Sequence, residues 1–394
     1  MRAPVPFVPP PMPVVASPLI REDVPLEAIA PAAWDALPGG QPFLTHAFLH
    51  ALHGSGCATP RTGWAPRYLT AWSEGALVGA LPLYAKGHSY GEYVFDWGWA
   101  EAYRRHGRRY YPKLLAAIPF TPVPGPRVLA PSPTVRRALL EHAIARVRNG
   151  DYSSLHVLFP PAEEAAEGEA LGMIARQGVQ FHWTNPGYRD FTDFLAAFSH
   201  DKRKKVKQER RKLAEAGVTF ERKRGPDVTA DDWAFFVRCY EHTYRAHHST
   251  PYLSHAFFEQ IGRTLARHVL MVVGMRDGRR VCAALDIFDE ATLWGRYWGA
   301  LEYVPGLHFE ACYYQAIEFC IEQEIRRFEG GAQGLHKLAR GLRPIATNSL
   351  HMVGDRAFAA AIADFCAQER VDVAHSLEEL EASSPFRSQL TVGS

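Results

Sequence analysis

The chain has 394 residues, 47% of them hydrophobic, 22% charged and 12% aromatic, a globular composition too long for one ordinary core, so two domains are expected. Its formal net charge of +2 supplies no global field demanding nucleic acid or a membrane surface, and no apolar segment reaches the length of a membrane span. The six cysteines, Cys57, Cys239, Cys282, Cys312, Cys320 and Cys366, show no CxxC or Cys/His spacing that closes a zinc site, so no metal is expected. Scattered free thiols on apolar faces suit a reducing compartment. The first residues lack the charged region, apolar run and cleavage site of a signal peptide, and the expected location is cytoplasmic.

Residues 1–20 are proline-rich and read as an extended, disordered arm. A first α/β unit spans 21–185. It opens with a helix over 45–54 capped by Thr45, then a strand-turn-strand hairpin, "PRYLTAWSEGALVGALPLYAK" (66–86). An aromatic and acidic loop follows, "GHSYGEYVFDWGWAEAYRRHGRRYY". A helix over 134–148, a strand over 154–159, a further helix and the strand "VQFHWTN" complete the unit. A second unit, 186–381, opens with a basic helix over 201–216 that ends at Gly217 in the position favoured by glycine. The strand "VTFERK", helices over 230–247 and 254–266, and the hairpin "HVLMVVGMRDGRRVCAALDIFDE" (268–290) come next, the last turning at Asp277-Gly278. The strand "ATLWGRYWGA" leads into "GLHFEACYYQAIEFCIEQEIRRFEGGAQGLHKLARG", which reads as a turn, an amphipathic helix, a short strand and a glycine-bounded basic loop. The two hairpins, about two hundred residues apart, suggest two copies of one unit. Residues 382–394 read as a disordered tail.

Three stretches carry a resemblance: "KRKKVKQERRKLAEAGVTFER", "SYGEYVFDWGWAEAY" with "YYPKLLAAIPFTPVPGPRVL", and the long segment from Gly306 to Gly341. Together they resemble the FemAB-like family described as peptidoglycan biosynthesis or recognition proteins, within the acyltransferase superfamily of the Gcn5-related N-acetyltransferase (GNAT) fold. The resemblance covers 42–368. It implies an α/β (α+β) fold of tandem GNAT-like domains, each a mixed, mostly antiparallel sheet flanked by helices. It also implies transfer of an acyl or aminoacyl group to an amine, from aminoacyl-tRNA, a carrier thioester or acyl-coenzyme A. Better-known acetyltransferases cradle diphosphate on a Q/R-x-x-G-x-G/A loop ahead of a helix. This chain has "ALEYVPGLHFEACYY" there, where Phe309 and Glu310 would crowd or repel a diphosphate, which counts against coenzyme A.

Amide formation needs a base for the amine, a donor for the oxyanion and an acid for the leaving group. Glu310 and His308, at the start of the amphipathic helix, are candidates for proton transfer, and equally for helix initiation. Tyr313 and Tyr314 point to different faces, one able to present its hydroxyl and the other to pack in the core. His336, Lys337 and Arg340 lie in the glycine-bounded loop; Lys337 is the candidate oxyanion or phosphate ligand, with Arg340 beside it. Arg296 and Trp298, two apart on a strand, should share one face and line a cleft. In the aromatic loop Tyr90, Glu92, Asp96 and Trp97 form a candidate acceptor pocket, with Glu92 and Asp96 holding an amine. The basic helix offers Lys202, Arg203, Lys204, Lys205, Lys207, Arg210 and Arg211 to a tRNA or an acyl-carrier protein, or only to solvent, with Val206 and Leu213 as a thin apolar seam. The expected function is N-acyl transfer. The alternative is an inactive GNAT-fold module that binds peptidoglycan precursors or another anionic ligand.

Overall fold

The computed structural model of the protein describes residues 18–22, 24–331 and 334–387. Its strands are β1 (Leu19–Glu22), β2 (Trp64–Pro66), β3 (Leu69–Ser73), β4 (Ala76–Leu81), β5 (Tyr84–Lys86), β6 (Lys113–Ala116), β7 (Ser154–Leu158), β8 (Ile174–Thr184), β9 (Val218–Arg224), β10 (Val269–Arg276), β11 (Arg279–Phe288), β12 (Thr292–Ala300), β13 (Arg327–Glu329) and β14 (Arg343–Val353). Eleven of them form one sheet in the order β2-β5-β6-β7-β14-β8-β13-β12-β11-β10-β9, and β1-β3-β4 form a small second sheet.

The large sheet repeats itself about its middle. From each end an antiparallel run reaches one parallel step, β6 beside β7 and β12 beside β13. The next strand inward belongs to the other half: β14 pairs with β7, β8 pairs with β13, and β8 and β14 pair with each other. Each half thus lends its last strand to its partner. The sequence division at 185 and 186 therefore does not follow the sheet, because 343–353 pair within the first half. A helix that the periodicity did not suggest, Arg356–Ala382, then packs over β8 and β14.

The two hairpins occupy matching places. Asp277 and Gly278 both have positive φ (50° and 75°), as do Glu74 and Gly75 (51° and 82°), the left-handed pair that matches hairpin twist. The first hairpin is bent. Its stem, β2 and β5, lies in the large sheet, while its tip, β3 and β4, turns away to pair with β1, and the Arg67 N–H to Leu83 carbonyl bond (2.7 Å) joins the two parts.

Strand alternation sorts the cores by face. One face is shared by both halves: Tyr84, Leu115, Met271, Leu285 and Trp294 pack there against the helices His46–Gly54, Ala230–Ala246 and His255–Thr264. On the opposite face, helix Pro133–Arg148 covers the first half. The helices His200–Glu215 and Leu307–Phe309 with its continuation cover the second. Gly299 lets helix Ala230–Ala246 lie on β12, since any Cβ there would meet the Cys239 carbonyl.

Several expectations change. The aromatic loop contains a helix, Trp97–Arg105. Most of the proline-rich arm lies outside the described residues, but its end, Leu19 and Ile20, is already paired with Trp72 and Ala71. The tail is held through residue 387: the Ser199 N–H donates to the Pro385 carbonyl (2.9 Å), and Phe386 packs on Phe198. Residues 388–394 lie outside the described residues. No helix among the described residues is long and apolar enough to cross a membrane.

Candidate active site

β12 and β13 pair only over Thr292–Trp294 and Arg327–Glu329. Beyond that register β12 continues to Ala300, while the other chain leaves through Gly330 and Gly331. The sheet splits, and the amphipathic helix starts over the split. That helix is α-helical over Leu307–Phe309, wound as a π-turn over Glu310–Tyr314, and α-helical again over Gln315–Glu322. A π-turn inserts a residue and re-aims the side chains around it.

On this face the split gathers five of the expected residues. His308 stacks edge-on to Trp298 (5.0 Å) and Tyr313 (5.5 Å). The Tyr313 hydroxyl meets His336 Nε2 at 3.0 Å. Lys337 is buried, and its ammonium donates to the Gly331 carbonyl (2.8 Å) at the end of β13. Cys312 places Sγ 3.5 Å from His308 Nδ1.

Burial lowers His308 to about 4, so it is an uncharged imidazole at neutral pH, and the neighbouring His336, Arg340 and Lys337 push the same way. Burial likewise lowers Lys337 to about 8. The Tyr313 phenol is pushed well up by burial. The arrangement offers a neutral acid-base pair, Tyr313 and His336, beside a cation that titrates within reach of neutrality.

Glu310 is not in this group. It is buried, and its carboxylate accepts from Arg210 Nε and Nη2 (3.0 and 2.8 Å) and from Gln315 (2.8 Å). Burial raises it, and Arg210 opposes the rise. The base expected there is instead one end of an ion pair that fastens the basic helix. Arg210 also reaches Glu318 (2.8 Å), so it faces inward rather than toward a polyanion. Glu209, one residue earlier, accepts from the Tyr314 hydroxyl (2.7 Å) and from Arg340 (3.1 Å). Arg340 is thereby neutralised; it also lies flat on Phe309 (3.4 Å) and donates to the His336 carbonyl (2.8 Å). The helix His200–Glu215 is latched to the site through Glu209 and Arg210, with Val206 and Leu213 buried beneath it. Lys202, Lys204, Lys205, Lys207 and Arg211 face solvent and Arg203 is half-buried. Among the described residues none of Lys202, Arg203, Lys204, Lys205 and Lys207 makes an ion pair, while Arg211 meets Glu215 at 3.5 Å.

Arg296 and Trp298 do not share a face. The register shifts between Leu285 and Asp286, so that Tyr297 and Gly295 oppose adjacent residues and Arg296 is extra. This β-bulge turns Arg296 to the same side as Tyr297. Its guanidinium lies over the Tyr297 and Phe43 rings and donates to the Phe120 carbonyl (2.8 Å), on the shared face.

The expected acceptor pocket is also different. Glu92 and Asp96 are buried and do hold an amine, but it is the chain's own Lys113, 2.7 Å from Glu92 and in direct contact with Asp96. Lys86 lies 3.8 Å from Glu92 and 3.6 Å from the Trp64 ring. The network continues through Tyr110, which donates to Asp96 (2.6 Å), to His156 and His351, whose Nδ1 atoms are 2.6 Å apart. Tyr90 and Trp97 stay exposed and pack on each other at 4.8 Å.

Two further buried acids, Asp286 in "ALDIF" and Glu329 in "RFEGG", were not singled out by the sequence analysis. Asp286 is fully enclosed, its Oδ2 has no hydrogen-bond partner among the described residues, and burial lifts its carboxyl well above the carboxylate range. A raised folded value means stability is complete below the unfolded value, near pH 4, and declines as pH rises from there. Asp286→Asn is expected to remove that decline: between pH 5 and pH 8 its melting temperature falls less than that of the parent protein, by scanning calorimetry. Glu329 is the second, taken up below.

Among the described residues no group of three His, Cys, Asp or Glu side chains is placed to hold a metal ion.

A family model described as FemAB-like, peptidoglycan biosynthesis/recognition, matches residues 25–388. No curated protein matches the chain significantly. Among solved structures, FemX superposes with a TM-score of 0.53 at 11% identity, covering 87% of this chain and 100% of that one. A conserved protein of unknown function from Bacteroides thetaiotaomicron superposes with a TM-score of 0.51 at 12% identity (82% and 98%). L-PGS from Bacillus licheniformis gives 0.50 at 12% (86% and 95%). At such identities the likeness is one of fold.

Proposed function

Because this chain belongs to the FemAB-like family and is an acyltransferase of GNAT fold, we infer that it forms an amide bond at the split between β12 and β13, taking the acyl or aminoacyl group from an ester or thioester carried on an anionic macromolecule. The observation that carries this reading is the latch of the basic helix. Glu209 and Arg210 fasten it to Arg340, Tyr314 and Glu310 of the site, leaving Lys202, Arg203, Lys204, Lys205 and Lys207, which make no ion pair among the described residues, on the helix that the site holds. In this reading Lys337 stabilises the tetrahedral oxyanion and the Tyr313–His336 pair returns a proton to the leaving group. Gly306, the single glycine ahead of the helix, does not make the multi-glycine cradle that a coenzyme A diphosphate requires.

The test offers labelled amine acceptors with aminoacyl-tRNA, with an acyl-carrier thioester and with acetyl-coenzyme A. Transfer is expected from one of the first two; transfer from coenzyme A alone sinks the reading of the donor. With the productive donor, Lys204→Glu combined with Lys207→Glu is expected to weaken donor binding and to lower the slope of log K against log salt by about 1.5. The rate at saturating donor should hold.

A further inference from the structure

On the face shared by both halves, the last paired register of the split, Trp294 beside Glu329, collects buried polar atoms that the described residues leave poorly satisfied. Glu329 Oε2, Trp294 Nε1, Arg296 Nε and the Tyr297 hydroxyl are all buried and none closes a well-formed hydrogen bond among the described residues, the Trp294 N–H lying near enough to Glu329 only to favour its charged form. Folded proteins rarely leave one such atom, and four at adjacent positions mark a place where polar groups serve something other than the fold. Alternation explains why they meet. Phe328, Phe181 and Trp183 turn to the helix that bears His308. Glu329, His182 and Trp294 therefore turn the other way, and the bulge brings Arg296 and Tyr297 to the same side.

The charges around Glu329 are weak ones. His182 Nδ1 lies 3.8 Å from its Oε1, but burial lowers that imidazole to about 3, so it is neutral and bonds Gln180 (3.2 Å) instead. Arg327 lies 3.8 Å away on an exposed side chain, and Arg296 is engaged by the Phe120 carbonyl. Burial pushes Glu329 up to about 8 against the pull of Arg327, the Trp294 N–H and Arg296, the range in which a carboxylate is a useful base near neutral pH.

We propose that Glu329 is the catalytic base for the acceptor amine, which enters the split from the shared face and meets the acyl group held on the opposite face. This rests on the transferase reading above. The Glu329 carboxylate first takes a proton from the acceptor ammonium and releases it to solvent; the freed amine nitrogen attacks the carbonyl carbon, an N–C bond forms, and the nitrogen's second proton passes to Glu329. Collapse breaks the C–O bond of an ester, or the C–S bond of a thioester, and the leaving oxygen or sulfur takes a proton from the Tyr313–His336 side. The acceptor class is a primary amine, with Arg296 and Tyr297 positioned to donate to polar groups beside it.

The experiment compares parent protein and Glu329→Gln with two acceptors: an alkyl primary amine, protonated at neutral pH, and hydroxylamine, which is already uncharged. Expected is a loss of 100-fold or more with the alkyl amine and less than 5-fold with hydroxylamine, since a neutral nucleophile needs little help from a base. Glu329→Asp should recover part of the alkyl amine rate. Equal losses with both acceptors, or no loss with either, overturn the proposal while leaving the transferase reading standing. Failure of the parent protein with both acceptors and every donor overturns both. Transfer to hydroxylamine by Glu329→Gln also shows that the variant is folded.

Discussion

Lys113→Met is expected to destabilise the protein by about 3–5 kcal/mol, measured by urea denaturation at pH 8. Lys113 is fully buried between Glu92 and Asp96 and also donates to Ser89 (2.9 Å). Removing the ammonium leaves two buried carboxylates whose nearest cation among the described residues is Lys86, which burial lowers to about 7 and which lies 3.8 Å from Glu92. The pH dependence has a definite sign. Burial alone would raise Asp96, but Lys113 outweighs it and holds the carboxyl at about 2. Its stabilisation is therefore present above the unfolded value, near 4, and lost as pH falls through about 2. Without Lys113 both carboxyls bind protons more readily when folded, so the penalty should shrink as pH falls toward 5. Adding Glu92→Gln and Asp96→Asn to Lys113→Met should recover most of the loss, because a buried pair replaced whole is nearly neutral. Full stability of the single variant would mean that the cluster is not dry.

Lys337→Met is expected to lower kcat by about 100–1,000-fold, the cost of one oxyanion donor, with a melting temperature close to that of the parent. Activity should fall as pH rises past about 8, where the Lys337 ammonium loses its proton. Lys337→Arg should move that limb out of range, since a guanidinium stays charged. Cys312, His308, His336 and Arg340 surround Lys337 or its neighbours. Cys312→Ser is the control, which should leave the limb in place. A falling limb unchanged in Lys337→Arg would assign it to another group.

The parts of this account visible in the chain are those with local causes. Val206 and Leu213 announced the seam of the basic helix, and both are buried. Asp277 and Gly278 announced a hairpin whose two left-handed residues are where a turn needs them. His308, Tyr313, His336 and Lys337 were legible as a chemical group because a helix start and a glycine-bounded loop bracket one short strand. Glu310 and Arg210 were not legible as a pair, since they are one hundred residues apart and each looks sound in its own helix. Arg296 was misplaced by one β-bulge, which reverses the side a residue faces without leaving a mark in composition.

By itself the sequence determined the units of secondary structure, the family resemblance and the residue types at the split, because periodicity, caps and turns act over a few residues. Tertiary structure decided the exchange of β8 and β14 between the halves, the internal amine held by Glu92 and Asp96, and the isolation of Glu329. Each of these depends on which distant atoms surround a charge, and a carboxylate in water, against a guanidinium or in a dry cleft is the same letter with different chemistry.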